Sequence, residues 1–143
     1  NICARFREMW DEHAGGPNRT HAPEEPLVGV GRHIFIAETD AEAEDRAAQA
    51  YAHWYAAVSK LWRDHGGAPV TGMMIDNYAQ ARREGQCVVG TAQTVRDELT
   101  AQIADVGYNY LVGQMVWGDL GHAREMASLA AFVADVMPAV DRI

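Results

Sequence analysis

What most constrains this chain is an alternation in which short β-branched runs close on a helix-start signal and lead into amphipathic stretches. Residues Leu27 to Ala37 are rich in β-branched and aromatic side chains and read as a strand. Thr39 and Glu42 follow with the spacing of a capping box, in which each side chain satisfies an orphan N–H at a helix start. Ala47, Tyr51, Trp54, Val58 and Leu61 then recur every three or four residues, which predicts one helix to about Asp64, stopped by His65-Gly66-Gly67. A short helix from about Asn77 to Glu84 ends at Gly85, and Cys87-Val88-Val89 reads as a short buried strand turned by Gly90-Thr91. Val95, Leu99 and Ile103, four apart, predict a helix capped by Thr91 or Thr94 and ending at Gly107. Tyr108 to Trp117 is the third strand, and Met126, Leu129, Phe132, Val133 and Val136 mark a last helix from about Gly121 that Pro138 ends. Upstream, Ile2 to His13 has helical spacing, 14–26 reads as an exposed loop rich in Gly and Pro, and Ala68 to Ile75 reads as irregular.

Strand followed by helix, repeated, is the pattern of parallel βαβ units in an α/β protein. A complete eightfold βα barrel needs about 250 residues, so 143 residues in a single domain, 1–143, supply either a small open sheet or part of a barrel. With 48% hydrophobic and 22% charged residues the composition is globular. Twelve basic against 20 acidic residues leave a net charge of −8, without any Lys/Arg block, which argues against nucleic acid or an anionic membrane as partner. Nor does any window approach the roughly 18 apolar residues of a membrane helix. Cys3 and Cys87 lie far apart and form no CxxC pattern, which points to a reducing, cytoplasmic compartment. Helix-like sequence begins directly after Asn1, so the chain is expected to be cut from a larger protein.

Three segments carry a resemblance. Arg32-His-Ile-Phe-Ile-Ala37 with Thr39-Asp-Ala-Glu-Ala43 is one, and Val88-Val-Gly-Thr91 leading to Val95-Arg-Asp-Glu-Leu99 is the second. The third is Gly107-Tyr-Asn-Tyr-Leu-Val-Gly-Gln-Met-Val-Trp-Gly-Asp-Leu-Gly-His122, with Ser128-Leu-Ala-Ala-Phe132 and Asp135-Val-Met-Pro138. Together they resemble the C-terminal end of the luciferase-like flavin-dependent monooxygenases, with Ala92 where that family usually has proline. The resemblance implies three parallel strands with helices, the C-terminal βα units of a (β/α)8 TIM-type barrel whose N-terminal half is absent here. It implies reduced flavin, FMN or a deazaflavin, dioxygen and a small organic substrate, with the cofactor bringing the oxygen chemistry and the protein orienting it. A noncatalytic flavin-binding or subunit-pairing relative of the same fold is the alternative, and a self-standing small α/β binding domain a third reading.

In a βα barrel the chemistry lies at the carboxyl ends of the strands, here Glu38 to Asp40, Gly90 with Thr91, and Trp117 to His122. Thr39 is explained by capping, and Asp119 by capping the last helix, although it and His122 are placed to face a substrate. Gln114 interrupts an apolar strand on the face of Val112 and Val116. If that face lines a barrel, Gln114 is a buried amide partnered by a flavin edge, a substrate oxygen or a core side chain. Trp117, at the mouth, would wall an apolar substrate or stack near the flavin. The candidate substrate-binding set is therefore Trp117, Gln114, Asp119 and His122, with catalytic and cofactor-gripping residues unidentified. Trp10, Trp54 and Trp62 read as packing residues and Cys87 as a small buried hydrophobe. Six histidines without an i, i+3 or i+4 pair give no metal motif. Neither GxSxG, a P-loop nor GxGxxG occurs. A truncated barrel exposes a strand edge and an apolar face, so a homo-oligomer is expected.

Overall fold

The computed structural model describes residues 2–14, 16, 25–67 and 74–141; most of the loop expected at 14–26 and of the irregular stretch at Ala68 to Ile75 lies outside them. Helix α1 (Ile2–Glu12) precedes β1 (Gly29–Ile36), α2 (Asp40–Val58), α3 (Lys60–Asp64), α4 (Tyr78–Arg83) and β2 (Cys87–Gly90). Then come α5 (Ala92–Val106), β3 (Tyr110–Gln114), α6 (His122–Ala131), a π-helical turn (Phe132–Val136) and α7 (Met137–Val140).

Local chemistry sets the helix starts. The Thr39 hydroxyl accepts from the Glu42 N–H and the Thr91 hydroxyl from that of Thr94, while the Asn77 side chain accepts from the Gln80 N–H. Gly107 closes α5 in the left-handed conformation, at φ +75°. Three expectations are corrected. The helix predicted to run unbroken to Asp64 divides at Ser59, whose hydroxyl donates to the Tyr55 carbonyl one turn back, a bond that bends helices. Pro138 does not end the last helix but sits in the first turn of α7, where its missing N–H costs nothing, after a π-helical turn has reset the phase. The third strand is shorter than Tyr108 to Trp117, because its pairing with β1 runs only from Gly29 opposite Tyr110 to His33 opposite Gln114.

The strands are all parallel, in the order β2-β1-β3. The crossover from β1 to β2 runs one way across the sheet and that from β2 to β3 runs back past β1, so right-handed connections put their helices on opposite faces. The packing shows this. Phe35, Cys87 and Val89 meet Ala43, Ala47, Ala50 and Tyr51 of α2, together with Trp117 and Leu120, on one face. On the other, Ile34, Ile36 and Val88 meet Val95 and Leu99 of α5 and Val136. Each large side chain so buried contributes about 1.5 to 3 kcal/mol. Buried Ser128 anchors α6 by accepting from the Ile36 N–H at 2.9 Å.

The outer edge of β2 is closed by Arg82 of α4. Its guanidinium donates to the outward carbonyls of Cys87 (3.2 Å) and Val89 (3.0 Å), to Glu44 (2.7 Å) and to both carboxylate oxygens of Glu98 (2.8 and 2.6 Å). Burial opposes the charge on Arg82, but these carboxylates outweigh it and hold the group protonated.

Candidate functional site

Strand alternation puts Gly31, His33 and Phe35 on the α2 face of β1, and the parallel register sets Val112 beside Gly31 and Gln114 beside His33. Helical spacing brings Tyr51 and Trp54 of α2 over them. The His33 ring stands edge-to-face against Trp54 (centroids 4.3 Å apart), Trp117 (5.2 Å) and Tyr51 (5.7 Å). Among the described residues its Nε2 is buried and has no hydrogen-bond partner. Burial lowers its pKa to about 4, so the imidazole is neutral at neutral pH. Beside it opens a hollow of about 350 Å³, lined by residues that include Gly31, His33, Trp54, Gln86, Val112 and Gln114.

Of the four residues singled out from sequence, two meet this cluster. Gln114 is exposed rather than buried and lines the hollow. Trp117 is only 3% exposed, packs against His33, and donates from Nε1 to the Ile34 carbonyl at 3.4 Å. Asp119 is not the cap of α6, whose N-cap position is Gly121 and which has no side-chain cap. Instead its carboxylate meets Nδ1 of His53 on α2 at 2.8 Å, and that hydrogen bond lowers the Asp119 pKa. His122 is exposed as the first residue of α6.

The remaining strand ends are taken up by structure. Asp40 accepts from the Thr91 N–H at 2.7 Å, which lowers its pKa and ties the start of α2 to that of α5. Gly90 leaves room for this, since a Cβ there would lie 2.7 Å from both Asp40 Oδ1 and Thr94 Cγ2. Cys87 is fully buried, its thiol pushed up to about 12 by desolvation, and is a small core hydrophobe. At the amino ends of the strands a wider groove of about 760 Å³ runs past Arg7, Asp11, Tyr108 and Asn109, and two of these side chains tie segments together. Arg7 donates to the Gly107 carbonyl, and Asn109 bonds the backbone at Pro26 and Val28. Among the described residues, no three His, Cys, Asp or Glu side chains converge as a metal site and no helix is long and apolar enough to cross a membrane.

Sequence reasoning missed His33, considering it only as a metal ligand. The signal was there in part, because the Tyr51 and Trp54 stripe and a mid-strand histidine on the alternating face must meet once α2 folds over β1.

A parallel sheet with helices on both faces makes this an α/β domain, and the hollow beside His33 is near the small end of the volumes that ligand pockets have. The family model described as luciferase-like monooxygenase matches residues 3–110, and the chain belongs to that family. The match takes in the first two of the three segments quoted above and reaches only the start of the third. Over 94 residues the chain is 33% identical to the uncharacterized protein y4wF of Sinorhizobium fredii (strain NBRC 101917 / NGR234), which covers 66% of this chain and 27% of that protein. A solved structure with a similar fold is a type II Baeyer–Villiger monooxygenase, the oxygenating constituent of 3,6-diketocamphane monooxygenase from the CAM plasmid of Pseudomonas putida, in complex with FMN. The TM-score is 0.63 at 20% identity, covering 95% of this chain and 39% of that one. The chain thus spans about a quarter of the one protein and two fifths of the other.

Proposed function

We propose that this chain is part of a flavin-dependent monooxygenase that acts with reduced flavin and dioxygen on a small organic substrate, and that it supplies one wall of the substrate pocket. The observation that carries the reading is the aromatic hollow beside His33 in a chain of the luciferase-like family. Gln114 is the polar contact on its rim, Trp117 holds the rings from behind, and Asp119 and His122 stand beyond the end of β3 on the substrate side. FMN, the flavin in the diketocamphane enzyme complex, is proposed over a deazaflavin. The described residues do not fit a whole FMN. The hollow has ring walls, but no guanidinium or ammonium is free there for a phosphate, since the Arg32 side chain donates to Gln102 and to the Gly31 carbonyl, both at 2.8 Å. This chain alone is therefore expected to hold FMN weakly, with the phosphate gripped by the part of the longer relatives that the match does not cover. Self-association on the β3 side and a cytoplasmic location belong to the same proposal.

Oxygen insertion is the test, made in the longest polypeptide that carries this sequence. With photoreduced FMN and isotopically labelled dioxygen, cyclic ketones of increasing size should give products heavier by one labelled oxygen. If FMN binds and no ketone is labelled, the noncatalytic flavin-binding reading takes its place.

A further inference from the structure

We propose that the hollow beside His33 binds a small, planar, neutral ring carrying an N–H next to a C=O, that is, a cyclic amide. The proposal rests on the small-molecule reading of this face but not on oxygenation, so the two can fail separately.

The shape of the hollow argues for a flat ring. Trp54 forms one wall, Val112 another, and Gly31 leaves open floor, since no atom of the described residues lies within 4 Å of where its Cβ would be. A volume of about 350 Å³ is near the small end for ligand pockets. The polar inventory argues for an amide. The side-chain amides of Gln86, half-buried, and Gln114, exposed, line the hollow and make no hydrogen bond among the described residues. Gln102, by contrast, bonds Arg32, Gly85 and Glu98. Both amides are open to solvent in part, so a ligand seated in the hollow can replace water on each of them. A primary amide offers one donor and one acceptor side by side, and a cyclic amide is complementary to that pair. A charged ring is disfavoured, because burial keeps the imidazole neutral and Arg32 is engaged elsewhere.

The experiment is calorimetric titration of the 143-residue chain with 2-quinolinone, with tryptophan fluorescence as a parallel readout of Trp54 and Trp117. Saturable one-site binding is expected, weakened at least tenfold by N-methylation of the quinolinone, which removes its donor. Gln114→Leu, which removes the amide at an exposed position, should weaken binding at least tenfold at an unchanged melting temperature. Val112→Phe, at a half-exposed position on the rim, should block the hollow without touching the core. Failure to saturate at the solubility limit overturns the proposal, as does equal affinity for the N-methyl compound or equal affinity in both variants. Binding without oxygenation leaves this site standing and removes the monooxygenase reading; oxygenation without quinolinone binding does the reverse.

Discussion

At the β2 edge the outward carbonyls of Cys87 and Val89 accept from Arg82, which two carboxylates hold in place. At the β3 edge Tyr110 and Val112 are more than half exposed and Gln114 faces solvent. A guanidinium along a strand edge satisfies its acceptors and blocks the addition of another strand. The β2 side is thus closed by its own chain, while β3 is left with unspent hydrogen bonds and apolar surface beside an aromatic hollow.

The largest break in this contrast is expected from Gly118→Ala. Gly118 has φ +61°, and a Cβ there would collide with the Ala50 carbonyl of α2. The loop carrying Trp117 would lift off α2, costing about 4 kcal/mol or more in urea unfolding and quenching the Trp117 signal. A variant that unfolds like the parent would show that the β3 side is not pinned to α2.

Arg82→Met comes next. It leaves the Glu44 and Glu98 carboxylates and two strand carbonyls without their donor, costing about 2 to 3 kcal/mol, and it opens the β2 edge. Sedimentation should then show species larger than those of the parent chain. If Arg83→Met costs as much and the assembly state does not change, the β2 edge is not sealed by Arg82.

A smaller effect reads out the hollow through pH. His33 has a folded pKa of about 4 against an ordinary 6.5, so as pH falls below 6.5 the unfolded chain takes up a proton that the folded ring refuses. Stability contributed by the neutral ring is fully present above pH 6.5 and is lost as pH drops toward 4, by about 2 kcal/mol with the ring's residual solvent contact allowed for. In His33→Phe this part of the slope should vanish; an unchanged slope would place the imidazole in water.

The smallest effect is a paired one. Val112→Thr, on the exposed part of β3, should change stability by no more than about 0.5 kcal/mol. Val89→Thr, fully buried on the same sheet face at β2, should cost about 1 to 3 kcal/mol through a buried hydroxyl. Equal costs in thermal melts would erase the difference between the two sides.

Much of the local structure was legible in the sequence. Thr39, Thr91 and Gly107 mark helix ends through bonds that reach no further than one turn, and the spacing of Val95 and Leu99 names a buried stripe. The Arg32 and Val88 segments carried family identity for the same reason, as contiguous strings of residues. The site was less legible. Gln114 and Trp117 were proposed because they flank one strand end, whereas Asp119 meets His53 across 66 positions of sequence and so could not be told from a cap. His33 depends on three elements at once, since Trp54, Gln114 and Trp117 become its neighbours only when α2 and β3 close over β1. Periodicity assigns a residue to a face. It does not say which strand lies alongside, and that was settled in the tertiary structure, where the chain runs from β2 back past β1 so that β3 pairs on the other side of β1.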